Sequence, residues 1–236
     1  MSTKDARKSG EQRQTMDVLG QGVYSIVEAA KLTGLRQARV REWFRGRVSD
    51  PIPRPVFRSD FEAVTGNSIS FLDLVEVFIA GQLRGHGVSL QYIRRAHARL
   101  QEDWKTRHPF SRRDIRTHGQ ELFVCALDLN DAERAIVYEV ITKNQVFENI
   151  ILPTLQKIDY DQATDLASKW HLTPMVSLNP RVCFGKPVVD AIGITTHVLA
   201  ASYFANGQNA KAVASWYEIE EQHVMAAVEY EARNAA

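Results

Sequence analysis

Cysteine is nearly missing from this chain of 236 residues: only Cys125 and Cys183 occur, far apart and without CxxC spacing. That excludes a disulfide scaffold and a zinc ribbon, and it fits buried thiols in a reducing cytoplasm. No apolar run approaches the roughly 18 residues that a helical membrane span requires, so no membrane partner is expected. The opening stretch MSTKDARKSGEQRQTMD lacks the apolar core of a secretory signal and reads as a disordered basic arm over residues 1–20. Catalytic signatures are missing too. There is no GxSxG, no glycine-rich phosphate loop, no HExxH and no histidine pair at helical i, i+4 spacing. His86 and His97 are separated by a glycine-marked helix break, His108 precedes a proline, and His118 sits beside Gly119 in an expected hairpin. An enzyme is therefore not expected, nor a cofactor, nor a metal centre.

Net charge is almost zero, but its distribution is lopsided. Residues 1–120 carry 21 Lys and Arg against 13 Asp and Glu, a balance of +8, and residues 121–236 carry 8 against 15, a balance of −7. A basic half can neutralise phosphates and release counterions, whereas an acidic half is repelled by a duplex. Two halves with opposite partners is one inference; a dipolar protein with its halves stacked on each other is the other.

What is there begins with YSIVEAAKLTGLRQARVREWFRG, Tyr24–Gly46. Ile26, Ala29, Ala30 and Leu32 form an apolar stripe on a first short helix, and Gly34 breaks it. Val40, Trp43 and Phe44 recur at i, i+3 and i+4, the spacing of a buried helical face. At about 100° per residue, Ala38, Glu42 and Arg45 then point outward, with Arg39 and Arg41 flanking them. Arg36 and Gln37 stand at the helix start, where base edges are commonly reached. This is the outline of a helix-turn-helix, although an arginine-rich helix also suits an ordinary solvated face.

The following GRVSDPIPRPVFRSD has three prolines within five residues, which excludes a helix. An extended wing carrying Arg47, Arg54 and Arg58 fits here, as does a plain connecting loop. Ser70 is the expected N-cap of a strongly apolar helix, FLDLVEVFIAGQLR, with Asp73 completing a capping box. Gly85 and Gly87 end that helix. Ser89 caps LQYIRRAHARLQEDW, with Ile93, Ala96, Leu100 and Trp104 on its core side; Arg94, Arg95 and Arg99 suit phosphate contact or solvent. Beyond Pro109 short strands are expected around His118-Gly119, then a helix near Gln145–Lys157, then a connector over 158–175 anchored by Trp170. MVSLNPRVCFGKPVVD reads as a hairpin, and three helices follow, ending at Gly207, capped at Asn209, and starting near Glu220. Residues 196–236 carry Lys211 and Arg233 against five glutamates, a protein-facing rather than DNA-facing surface.

Both ends resemble known families. The run from Tyr24 to Gly46, followed by ISFLDLVEVFIAGQLRGHGVSLQYIRRA, resembles MerR-like winged helix-turn-helix regulators. The tail from Asn179 resembles a small bacterial domain long catalogued without function, domain of unknown function four-three-three. Pro180, Gly185, Pro187, Val188, Val189, Ile194, Gly207, Tyr217 and Val224 carry that likeness. Where the family has Gly-Thr-Arg, this chain reads Ala191-Ile192-Gly193, so the arginine is missing. The combination resembles VapB-type antitoxins with a DNA-binding front domain. It implies a DNA-binding antitoxin of a type II toxin-antitoxin pair, neutralising a PIN-like ribonuclease toxin and repressing its own operon.

The resulting expectation is a mainly α chain in four parts. They are the arm (1–20), a winged helix-turn-helix domain (21–125), a connector with a helix (126–174), and a C-terminal three-helix domain with a short β-hairpin (175–236). Arg36, Gln37, Arg39, Arg41, Arg45, Arg47, Arg54 and Arg58 are the expected contacts to double-stranded operator DNA. Asp190, Tyr217, Glu218, Glu220 and Glu221 are the expected contacts to the toxin. A homodimer in the bacterial cytoplasm is implied, with the Phe71–Leu83 helix and the C-terminal domain as candidate dimer surfaces. A stand-alone MerR-like transcription regulator with a ligand-sensing C-terminal domain is the alternative, and a C-terminal interaction module without a DNA role is the third reading.

Overall fold

The computed structural model describes residues 20–46, 55–61, 68–115 and 151–235. Nearly all of the expected N-terminal arm, Arg47, Arg54, Cys125, the His118-Gly119 hairpin and the first turn of the expected Gln145–Lys157 helix lie outside the described residues. The chain divides into two compact units, Tyr24–Ser168 and Met1–Val23 with Lys169–Ala236.

In the first unit, strand β1 (Tyr24–Ser25) pairs antiparallel with β2 (Ser68–Ile69), Tyr24 opposite Ile69. Each strand feeds directly into a capped helix. Ser25 opens α1 (Ile26–Thr33): its hydroxyl accepts from the Glu28 amide, and the Glu28 carboxylate accepts from the Ser25 amide at 2.8 Å. Gly34 closes α1 in the left-handed conformation. The buried stripe is Ile26, Ala29, Ala30 and Thr33, with Leu32 half-buried; the Ala29 carbonyl satisfies the buried Thr33 hydroxyl at 2.6 Å. Helix α2 (Gln37–Arg45) follows after a two-residue turn and buries Val40 and Trp43. Phe44, expected in the core, is half-buried and leans on Phe57, ring centroids 5.8 Å apart.

Ser70 caps α3 (Phe71–Gly85) with the expected capping box, Asp73 returning a bond to the Ser70 amide at 3.0 Å. Eleven of its fifteen residues are buried. Each fully sealed aliphatic such as Leu74 or Ile79 contributes about 1.5–3 kcal/mol through lost water contact. A helix consumed on nearly all sides within its own unit has no face left for a second copy, so the candidate dimer surface at Phe71–Leu83 is withdrawn. Helix α4 (Leu90–Trp104), capped by Ser89, packs Ile93, Ala96, His97 and Leu100 inward. Trp104 is half-buried, with the Arg112 guanidinium 5.3 Å from its ring. A 3-10 turn (Pro109–Ser111) and the short helix α5 (Leu152–Leu155) follow among the described residues.

The expected connector is not structureless. Strands β3 (Ile158–Tyr160) and β4 (Ala167–His171) are joined by a turn in which Asp161 Oδ1 accepts the Ala163 and Thr164 amides, each at 3.0 Å. With β5 (Val176–Leu178), β6 (Pro187–Val189) and β7 (Ile194–Thr195) they make a five-stranded sheet in the order β3-β4-β5-β6-β7. The hairpin expectation was thus right for β5 and β6, with Val176 opposite Val189, and too small for the sheet as a whole. Three-residue strands carry too little alternation to be read from sequence.

Helices α6 (Thr196–Ala205), α7 (Ala210–Tyr217) and α8 (Glu221–Ala235) complete the second unit. Asn209 caps α7 through its side chain, accepting from Ala212 at 3.0 Å. Val189, Leu199 and Ala227 form one apolar cluster; Val213, Ala214 and Val224 form another. Tyr217 packs against both. Cys183 is exposed, not buried as expected; it opens the 3-10 turn that connects β5 and β6 at the surface, and stands at positive φ.

Candidate functional site

Helix α2 is positioned by packing from beneath and by a chain segment that returns to it. Val40 and Trp43 are buried, and the Trp43 carbonyl accepts both the Val56 amide (2.7 Å) and the Phe57 amide (3.0 Å). Phe57 is itself buried, its ring 6.2 Å from Trp43 in an edge-on contact. On the far side, Leu35 of the α1–α2 turn lies over Gly81 of α3. A Cβ at Gly81 would sit 2.8 Å from Leu35 Cδ1 and 3.2 Å from Cγ, so any side chain there requires the Leu35 side chain to move.

With that face held, the rest of α2 is left outward. Arg36, Gln37, Ala38, Arg39, Arg41, Glu42 and Arg45 are all exposed. Four arginines against one glutamate make this a cationic ridge. Arg36 is the N-cap residue and gives the helix no side-chain cap, and the first turn holds no acid. Arg58 is exposed on the returning segment. The ridge has the donor chemistry for phosphates and for guanine edges.

Of the five residues expected to meet a toxin, three have side-chain partners inside their own unit: Asp190, Tyr217 and Glu220. Asp190 lies 2.6 Å from the Lys169 ammonium and accepts the Ser177 hydroxyl at 2.9 Å. Burial would push its carboxyl up, but the bonds from Lys169 and Ser177 outweigh that and hold it below the ordinary carboxylate range. The Tyr217 hydroxyl meets Ser202 Oγ at 3.1 Å. Glu218, Glu220 and Glu221 are exposed; Glu220 accepts from the Gln222 side-chain amide at 2.5 Å, and Glu220 and Glu221 edge a shallow groove also lined by Lys211, Ala214 and Ile219. Sequence reasoning missed two large neighbours on this unit: Trp216 is 62% exposed and Phe204 is 57% exposed. Their adjacency to the core residues Tyr217 and Tyr203 was the available signal, since neighbours on a helix face different ways.

It also missed a buried polar cluster in the first unit. Asp60, Asp73 and His108 bring ligand-type atoms within 4.8 Å of one another from three separate segments. His108 Nε2 contacts Asp60 at 3.1–3.2 Å. Asp73 Oδ2 accepts the amides of Ser70 and Asp60 at 3.0 and 3.1 Å. Burial, reinforced by the charge of Asp60, pushes the Asp73 carboxyl up to about 6. Burial disfavours the His108 cation, but the Asp60 hydrogen bond and the fields of Glu76, Asp60 and Asp73 prevail and raise it. Helical spacing could not reveal this site, because its members share no helix.

No curated protein matches the chain. The X-ray crystal structure of Rv2018 from Mycobacterium tuberculosis is similar in fold, with a TM-score of 0.62 at 21% identity over 87% of this chain and 96% of that one. No helix among the described residues is long and apolar enough to cross a membrane. Residues 176–230, from the hairpin through most of α8, match the family described as protein of unknown function (DUF433).

Proposed function

We propose that this protein is a DNA-binding antitoxin: its front unit is a MerR-like winged helix-turn-helix that represses its own operon, and its rear unit binds a PIN-like ribonuclease. The observation that carries the reading is the cationic ridge of α2, held outward by Val40 and Trp43 below and by the returning segment at Phe57. Phosphate contacts would supply affinity there and Arg36, Gln37 or Arg41 base-edge specificity. The rear unit contributes a surface of opposite character, with exposed Glu218, Glu220 and Glu221 beside exposed Trp216. Aromatic anchors rimmed by acids suit a basic protein partner, and an RNA-cleaving toxin has a basic face. The DUF433 match covers this rear unit, and the antitoxin half of the reading rests on the sequence resemblance carried by Pro180, Gly185 and Pro187.

Two experiments test it. The chain and the product of the adjacent gene are co-expressed with a tag on one only; recovery of a stoichiometric complex is expected, and two separate monodisperse proteins would remove the antitoxin role. A gel shift on the upstream promoter fragment, against a scrambled duplex of equal length, tests repression. Binding to the promoter without a toxin complex would leave the stand-alone regulator.

A further inference from the structure

Asp60 comes from the segment that returns to α2, Asp73 from the first turn of α3, and His108 from the stretch before the 3-10 turn. The ring nitrogens of His108 face different carboxylates, Nε2 toward Asp60 and Nδ1 toward Asp73, so the three side chains do not converge on one ion. We propose that they hold one proton, between His108 Nδ1 and Asp73 Oδ1. That proton clasps the returning segment to α3, and its release as pH rises loosens the support behind α2.

The hydrogen-bond pattern leaves one gap of the right size. Asp60 Oδ2 accepts the Ser70 hydroxyl at 2.7 Å, Oδ1 meets Arg107 at 3.2 Å, and both oxygens lie 3.1–3.2 Å from His108 Nε2. Burial would push the Asp60 carboxyl up, but the bonds from His108 and Ser70 and the charge of Arg107 hold it low. An ionised carboxylate only accepts, so Nε2 donates, and in a neutral ring Nδ1 is then bare. Opposite stands the buried Asp73, whose Oδ2 already accepts the amides of Ser70 and Asp60. Its Oδ1 faces Nδ1 at 3.8 Å, and Nδ1 is buried with no hydrogen-bond partner. This separation is too long for a hydrogen bond and too short for a bridging water. Two bare acceptors facing each other in a dry site repel. One proton converts the contact into a charge-assisted bond, which draws the atoms together by about 1 Å.

The charges agree. Arg107 is exposed and balances Asp60, which leaves the proton to balance Asp73. Burial, with the charge of Asp60, pushes Asp73 up to about 6. Against the cost of burial, the Asp60 bond and the fields of Glu76, Asp60 and Asp73 raise His108. Glu76 acts from α3 and is itself bonded to His97 of α4. The folded pair thus keeps a proton that the unfolded chain has given up. The stability His108 contributes is complete below its ordinary value of 6.5 and fades as pH rises through the raised one. Asp73 works in the same direction at lower pH, between 3.8 and about 6. Phe57, three residues before Asp60, braces Trp43 of α2 through its ring and its amide, so opening at Asp60 reaches the ridge. Any effect on DNA affinity rests on the proposed function; the clasp itself does not.

The test uses the full chain with isotope-labelled histidine, its ring nitrogens followed by NMR from pH about 5.5 to about 9, across the imidazole range. Amide exchange at Phe57 and Asp60, corrected for the intrinsic rate, is read over the same window. His108 should keep its Nδ1 proton to a higher pH than the histidines of the urea-unfolded chain, and Phe57 should lose protection as that proton leaves. Asp73→Asn sets a permanent N–H donor opposite Nδ1 and keeps an oxygen for the two amides. In this variant His108 should give up its proton at lower pH than in the wild type, and Phe57 should stay protected at alkaline pH. Loss of protection in Asp73→Asn at the wild-type pH would overturn the proposal, as would a wild-type His108 that titrates like the unfolded chain. Should the variant not fold, the wild-type titration decides alone: ring deprotonation and Phe57 opening in step support the clasp, and opening out of step removes it. None of these readouts involves DNA or a toxin, so they succeed or fail independently of the proposed function.

Discussion

The Nε2 atom of His97 lies 2.5 Å from Glu76 Oε2, with both side chains almost sealed from water. The other Glu76 oxygen accepts the Phe110 amide at 2.9 Å, and the His97 ring stands edge-on to Phe57 and Phe110 at 5.0 and 5.1 Å. One hydrogen-bonded pair therefore fastens α3, α4, the 3-10 turn and the segment that supports α2. Removing one member of a buried pair strands the other, so Glu76→Ala should cost about 3–5 kcal/mol. Urea unfolding measures it, and a loss below about 1 kcal/mol would mean the pair is not a structural joint.

Gly81→Val tests the close approach of the α1–α2 turn to α3. The new side chain must displace Leu35, and overpacking of this kind costs on the order of 1–3 kcal/mol. The midpoint of chemical denaturation should fall accordingly. An unchanged midpoint would show that Leu35 swings away without consequence.

Arg41→Ala should weaken binding to the promoter by about 1–3 kcal/mol if the side chain reads a base, and should flatten the salt dependence by roughly one counterion if it grips a phosphate. Arg99→Ala is the control, since Arg99 is an exposed member of an i, i+4 pair with Asp103 on another helix. Equal effects at both positions would make the cationic surface diffuse rather than a site.

Asp190 ties β6 to its neighbours through Lys169 and Ser177, and its folded-state pKa lies below its unfolded one. The stability it contributes is thus present above the ordinary carboxylate pKa and fades as pH falls through the lowered value. Thermal melts of the wild type should lose ground on acidification, and Asp190→Asn should reduce that slope. Parallel acid profiles for the two proteins would show that the pair contributes nothing.

Tyr230 works in the opposite direction. Burial, with the charge of Glu231 beside it, pushes its phenol from 10.0 up to about 12. The folded state keeps its proton where the unfolded chain has lost it, so stability is intact below pH about 10 and declines toward about 12. Tyr230→Phe should remove part of this alkaline decline, read as the melting temperature across that window. A decline identical in the variant would assign it to other groups.

Much of this architecture was legible in the residues themselves. Ser70, Ser89 and Asn209 announced three helix starts, and Val40 with Trp43 announced the face that leaves the arginines outward. These signals are local, each confined to one turn of chain. The strands at Ile158–Tyr160 and Ala167–His171 were not legible, because runs this short lack a period. The Asp60, Asp73 and His108 cluster was invisible for a different reason: it is assembled by tertiary contact, and no spacing along the chain encodes it. The acidic contacts fell between these cases. Glu218, Glu220 and Glu221 are exposed as their helix-end positions imply, whereas Asp190 found its lysine on a strand that had been read as a connector.

The amide of Val23 donates to the carbonyl of Phe184 at 2.9 Å, which places the chain just before β1 in the same unit as the C-terminal helices. The helical unit is therefore an insertion, left and re-entered by the backbone at two junctions. Excising it takes two scissions rather than one, and a fragment beginning at Lys169 would forfeit the Val23 donor and leave that carbonyl to solvent. Any attempt to study the rear half alone has to restore that donor and keep β3 and β4 whole, by circular permutation or by a short splice that ends before Ile158.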